Sequence, residues 1–169
     1  MKTYVLVDIE SNGPIPGDYS MTQLGAVVVD DRLDKTFKVN IKQISEKFEK
    51  DRVDHTHLIN AMDAKTAMQN FKAWIKKSAP NDPVFVSDNN GYDWMFVCWY
   101  FWHFLDENPF GYSSTNLNTF YKGISKDLSV NIRNLRTREL THDALEDAID
   151  NAKVMLRLIN NINSPRPFV

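Results

Sequence analysis

The sequence predicts an α/β domain built on a mixed five-stranded sheet flanked by helices. Two observations lead there. Three strand-like stretches come first, and strand-like and helix-like stretches then alternate to the end of the chain. A length of 169 residues suits one domain with a proper core, and ample aliphatic and aromatic content excludes a disordered chain. With no internal repeat, low-complexity tract or linker in view, residues 1–163 read as a single domain and 164–169 as a C-terminal tail.

The first strand is expected at 3–9, an apolar run that continues through Asp8-Ile9-Glu10. The second and third, 22–30 and 35–42, are joined at the turn Asp30-Asp31-Arg32. Helical periodicity begins weakly at Ser45 and runs clearly through Ala67, Phe71, Trp74 and Ile75, until Pro80 and Pro83 stop it. A short buried strand follows at 84–87. Asp88-Asn89-Asn90-Gly91-Tyr92-Asp93 is a turn opening a helix that runs from 93 to about 105. A short strand near 111–114, a short helix to Tyr121 and a last helix over about 143–160 complete the order.

Chemistry enters through Asp8 and Glu10. Alternation along a strand sends both to one face, while Val7 and Ile9 point to the other. Adjacent carboxylates repel, so a protein keeps such a pair at the end of a buried strand when cations neutralise it, and hard oxygen donors suit Mg²⁺ or Mn²⁺. A solvated acidic edge strand is the alternative. Further acids favour the first reading: Asp93 stands at a helix start, and in Thr141-His142-Asp143-Ala144-Leu145-Glu146-Asp147 a loop enters the last helix with His142 at its mouth and Asp147 one turn inside. His142 and Asp147 are thus able to face one site.

This ordered set, Asp-x-Glu, Asn-x-x-Tyr-Asp and His-x-x-x-x-Asp, resembles the three exonuclease motifs of the DEDD superfamily in its histidine-bearing DEDDh branch, which includes ribonuclease T and the DnaQ-like enzymes. The resemblance spans about 140 of the 169 residues, from Asp8 to Asp147. It implies a ribonuclease H-like fold, two divalent ions (Mg²⁺ or Mn²⁺) held by Asp8, Glu10, Asp93 and Asp147, and His142 as the general base. It further implies 3′ to 5′ removal of nucleoside monophosphates from single-stranded RNA or DNA ends. RNA is favoured, because compact stand-alone members act on RNA. One departure stands out: many members carry a histidine before the asparagine of the second motif, and here that place holds Asp88. In related exonucleases the residues after the glutamate approach the terminal nucleotide, which nominates Ser11, Asn12 and Gly13, with Asn89 and Tyr92 of the second motif beside them. Gly13 permits close backbone approach. Tyr92 either stacks on a base or plugs its helix into the core.

The net charge of −2 does not advertise a nucleic-acid partner, but bound metals invert the sign of a carboxylate-rich site. Lys122, Lys126, Arg133, Arg136 and Arg138 meet only Asp127 within their own stretch, which leads into His142. Arg136 is the residue nominated there for the phosphate backbone; an ordinary surface loop is the alternative. Arg32, Lys35, Lys38 and Lys42 read as a solvated sheet edge.

The run from Trp94 to Phe104 is apolar all round and needs cover on every side. A central helix between sheet and neighbouring helices is favoured over a base-stacking platform or an oligomer interface, although a homodimer would cover surplus aromatic surface. The lone cysteine, Cys98, is expected as a buried thiol, and His55, His57 and His103 as structural residues rather than zinc ligands. Without an intrachain disulfide, a signal peptide or a membrane span, the chain is expected in the cytoplasm. Three other functions compete: a 3′ to 5′ exodeoxyribonuclease, a ribonuclease H-like endonuclease, and a noncatalytic nucleic-acid-binding module on the same fold.

Overall fold

The computed structural model describes residues 2–50 and 59–162. Five strands, β1 (Thr3–Ser11), β2 (Met21–Val28), β3 (Thr36–Asn40), β4 (Pro83–Ser87) and β5 (Ser114–Asn116), form one sheet in the order β3-β2-β1-β4-β5. The first three pair antiparallel, whereas β4 and β5 join parallel to β1, so the sheet is mixed as expected. Parallel pairing requires crossovers, which α1 (Ala64–Ser78) and α2 (Asn90–Leu105) supply. After β5 come α3 (Leu117–Ser125), a 3₁₀ helix (Ile132–Leu135) and α4 (Ala144–Ile162).

Side-chain parity divides the core in two. Val5, Val7 and Ile9 of β1, with Leu24, Ala26 and Val28 of β2, pack against Phe71 of α1 and Phe96 and Phe101 of α2. On the opposite face Leu6 and Val27 meet Ala148, Ala152 and Leu158 of α4 and Ile132 of the 3₁₀ helix. Asp8 and Glu10 share the parity of Leu6, so they emerge on the face that α4 covers.

The register explains how α4 gets close enough to matter. Gly25 lies opposite Asp8 and Gln23 opposite Glu10. A Cβ built on Gly25 would stand 2.2 Å from the carbonyl carbon of Ala144 and 2.2 Å from the backbone nitrogen of Leu145, so only glycine lets the helix start rest on the sheet. Gln23 completes the joint, its Oε1 accepting from the Ala144 backbone N–H at 2.6 Å. Asp143 adds its carboxylate to the amides of Leu145 and Glu146, both at 3.2 Å, and pairs with Lys38 of β3. Gly25→Ala is therefore expected to lower stability by roughly 1–3 kcal/mol through overpacking against rigid backbone, and to lower metal affinity by moving Asp147. A chemical melt with a parallel Mn²⁺ titration checks both.

Several sequence expectations shift. Residues 45–50 are not helical, and α1 starts where the Asp63 carboxylate caps the amide of Thr66 at 3.0 Å. Helix α2 starts at Asn90 rather than 93, and β5 and α3 lie a few residues later than expected. Among the described residues, the aromatic helix is not covered all round. Phe96, Val97, Tyr100 and Phe101 are buried, but Trp94, Met95, Cys98 and Trp99 are half-buried and Trp102 is exposed, lining an open groove with Pro16. Cys98 is therefore not the buried thiol expected. His103 stacks on Trp99 with centroids 4.2 Å apart, a structural contact. No described helix is long and apolar enough to cross a membrane. His55, His57 and the tail 164–169 lie outside the described residues.

Candidate active site

Three carboxylates converge where β1 leaves the sheet. Asp8, Glu10 and Asp147 each offer an oxygen, and these atoms lie within 4.8 Å of one another. Strand parity places the first two, and the Gly25 and Gln23 joint brings the first turn of α4 over them. Asp147 is held tightly: its Oδ1 accepts from the Thr141 backbone N–H at 3.0 Å and hydroxyl at 3.2 Å, and its Oδ2 from the His142 N–H at 3.0 Å. Arg138 lies 3.7 Å from the same carboxylate and bonds Asp150 at 2.7 Å and Glu146 at 3.0 Å.

Asp93, in the first turn of α2, stands outside that group of three, but its charge acts on Asp8. Burial raises the Asp8 pKa well above the usual carboxylate range, and the charges of Asp93, Asp88, Glu10 and Asp147 push it further. Asp93 is raised as well, by burial and then by Asp88, against the lowering effect of Ser87 and the Ile9 amide. Its Oδ2 is buried with no hydrogen-bond partner among the described residues. Buried carboxylates that repel one another and leave an oxygen unbonded are a poor arrangement for the protein alone; they fit a hard divalent cation, which takes oxygen ligands. The donor set therefore suits Mg²⁺ or Mn²⁺.

His142 sits at the rim. Its backbone is left-handed, with φ 58°, its side chain is 76% exposed, and Nδ1 lies 3.6 Å from Glu10 Oε1. An exposed imidazole beside the carboxylates is accessible to a water molecule and to a substrate.

The other nominated residues separate into two groups. Ser11 follows an irregularity in the β1–β2 register after Glu10. Its hydroxyl donates to the Gly13 carbonyl at 2.7 Å and accepts from the Tyr92 hydroxyl, whose oxygen lies 3.0 Å from the same carbonyl. Tyr92 thus ties the loop after Glu10 to α2, with its ring tilted against that of Phe96 at a centroid distance of 5.2 Å. Asn89 is exposed at the mouth of α2. By contrast Asn12 is buried, its Oδ1 accepting from the Ser20 amide at 2.7 Å, so it organises the loop. What approaches Gly13 closely is the ring of Tyr19, which a Cβ would meet at 1.9 Å. Arg136 is only 5% exposed and faces Asp88 and Asn151 rather than solvent. The acid that engages Arg136 comes from the β4–α2 turn, far off in sequence, and those that engage Arg138 from α4, just beyond the basic stretch, which is why the stretch reads as unopposed. Gln23, Gly25, Thr141 and Arg138 are not among the nominated residues; their one signal is that the stretch 23–29 resembles the family's second strand, in which a glycine lies between polar and apolar positions.

Residues 3–159 match the model of the family described as the 3′-5′ exoribonuclease Rv2179c-like domain. A curated relative, the 3′-5′ DNA exonuclease Cap18 of Escherichia coli, is 34% identical over 181 residues, covering 96% of this chain and 94% of its own. Two solved structures share the fold at TM-score 0.74. The nuclease domain of 3′hExo, a DEDDh family member bound to rAMP, is 12% identical, covering 94% of this chain and 92% of that one. E. coli Exonuclease I in complex with a dA16 oligonucleotide is 13% identical, covering 95% of this chain and 41% of that one. The sheet and its flanking helices are thus ribonuclease H-like, as in the DEDDh exonucleases.

Proposed function

The chain belongs to the 3′-5′ exoribonuclease Rv2179c-like domain family, and on that premise we propose that it is a divalent-metal-dependent 3′ to 5′ exonuclease. It releases nucleoside monophosphates from single-stranded ends, with RNA favoured over DNA. The observation that carries this reading is the convergence of Asp8, Glu10 and Asp147 within 4.8 Å, beside the unbonded buried oxygen of Asp93. Two divalent ions, Mg²⁺ or Mn²⁺, when bound by these four carboxylates would neutralise the phosphate and make water more acidic.

The chain's own residues supply the rest. Water attacks the phosphorus of the last phosphodiester, the bond to the 3′ oxygen of the remaining strand breaks, that oxygen takes a proton from solvent to become the new 3′ hydroxyl, and the terminal nucleotide leaves as its monophosphate. His142 takes the proton of that water. With Nδ1 turned toward Glu10, Nε2 is the atom left to accept it. Thr141 and Arg138 fix Asp147, and through the His142 amide the same carboxylate sets the position of the base. The loop Ser11-Asn12-Gly13, braced by Tyr92, forms the wall for the terminal nucleotide, and exposed Asn89 lies on its rim. Arg136 is turned inward onto Asp88 and Asn151 and takes no direct part in holding the phosphate backbone.

Exodeoxyribonuclease activity is the second reading, favoured by the DNA exonuclease that matches 96% of this chain. A noncatalytic binder would have no need of the convergent carboxylates. The half-exposed aromatic groove on α2 supports a homodimer, and the single cysteine supports a reducing, cytoplasmic setting. Competition between 5′-labelled RNA and DNA of one sequence in a single reaction tests the choice of sugar. Faster shortening of RNA is expected; faster shortening of DNA replaces the first reading with the second.

A further inference from the structure

Asp88 is a fifth carboxylate on the wall of the site, at the position where resembling exonucleases carry a histidine. It follows β4 directly and is mostly buried, with its side chain 17% exposed. Its charge reaches both Asp8 and Asp93. Left alone it would add a negative charge to four others. It is not alone, because the Arg136 guanidinium pairs with it, and Arg136 Nε donates to Asn151 Oδ1 at 3.1 Å. Asn151 is fully buried on α4, one turn beyond Asp147. The pair therefore bridges the turn that carries Asp93 to the helix that carries Asp147.

We infer that Arg136 is a positioning residue whose charge cancels that of Asp88, and that this buried pair sets the affinity of the neighbouring carboxylates for divalent cations. The inference rests on the metal-site reading above and deepens it. Its signature is a sign. Removing Arg136 alone exposes the Asp88 charge and tightens cation binding. Removing Asp88 alone leaves a buried cation beside the site and weakens it. A merely structural bridge behaves otherwise, since breaking it from either side loosens the same carboxylates and shifts affinity in one direction.

The test is calorimetric titration of the nucleic-acid-free protein with Mn²⁺, for wild type, Asp88→Asn, Arg136→Gln, the double variant and Arg136→Lys, with a melting curve for each. Asp88→Asn is expected to weaken Mn²⁺ about tenfold and Arg136→Gln to tighten it about tenfold, as for one unit charge added near a divalent ion. The double variant and Arg136→Lys should both return to within a few-fold of wild type. Shifts of the same sign in the two single variants, or none, overturn the inference while leaving the metal site standing. Wild-type protein that takes up no Mn²⁺ overturns both. Should Arg136→Gln fail to fold, Asp88→Asn decides alone, because unchanged or tighter binding there contradicts the charge balance.

Discussion

Asp8→Asn is expected to abolish turnover while raising the melting temperature of the metal-free protein at neutral pH. Loss of activity follows from losing a carboxylate at the centre of the cluster, a deficit on the order of 10³-fold or more for removal of a principal source of transition-state charge stabilisation. The gain in stability follows from the direction of the Asp8 shift. Its folded pKa is raised well above the ordinary carboxylate range, first by burial and then by Asp93 and its other acidic neighbours. Between the unfolded and folded values the unfolded chain holds fewer protons, so stability falls as pH rises through that window; below the unfolded value nothing is lost. An asparagine has no such penalty. Metal-free wild type should therefore melt lower as pH rises above the ordinary carboxylate range, and the variant should recover on the order of a few degrees at neutral pH. Added Mn²⁺ should raise the wild-type melting temperature strongly and the variant's little. Scanning calorimetry across pH, with and without the ion, reads all of this. A variant less stable than wild type at pH 7 would show that Asp8 is not under repulsion.

His142→Asn is expected to leave Mn²⁺ affinity and substrate binding near wild type while kcat falls roughly 10²- to 10⁴-fold, the usual weight of a general base. Asparagine is the right replacement because residue 142 is left-handed, with φ 58°, and asparagine accepts that conformation more readily than most residues. The backbone N–H that holds Asp147 is then preserved. An exposed side chain contributes little to stability, so the melting temperature should scarcely move. Steady-state kinetics beside a Mn²⁺ titration give the decisive readout: kcat should fall while KM and Mn²⁺ affinity hold. A variant that keeps kcat but loses metal affinity would show that His142 serves the carboxylates instead.

Much of this site was legible in the sequence because its logic is local. Parity alone puts Asp8 and Glu10 on one face of β1, and five residues of spacing bring His142 and Asp147 to the same helix mouth. The sheet was legible for the same reason, since strand period, turn residues and proline stops act over a few positions. What escaped depends on contacts made across the chain. Nothing near Gln23 or Gly25 announces that α4 will rest on them. Arg136 looked like a phosphate ligand because its partners, Asp88 and Asn151, come from other elements. Asn12 reads as a substrate contact, but it is buried and its Oδ1 accepts from the Ser20 amide, while its Nδ2 has no partner among the described residues. The aromatic run on α2 was expected to be enclosed, yet composition does not say which side of a helix its neighbours cover.

The central claim, a 3′ to 5′ exonuclease centred on Asp8, is tested most directly by a gel time course on 5′-labelled single strands with Mn²⁺ or Mg²⁺. Each strand is run with a free and with a blocked 3′ end, with Asp8→Asn as the control. The expected result is a ladder that shortens from the free 3′ end, stalls on the blocked strand, and is absent without metal and in the variant. Internal cuts in the blocked strand would contradict it in favour of an endonuclease, and intact strands under every metal condition, despite measurable binding, in favour of a noncatalytic module.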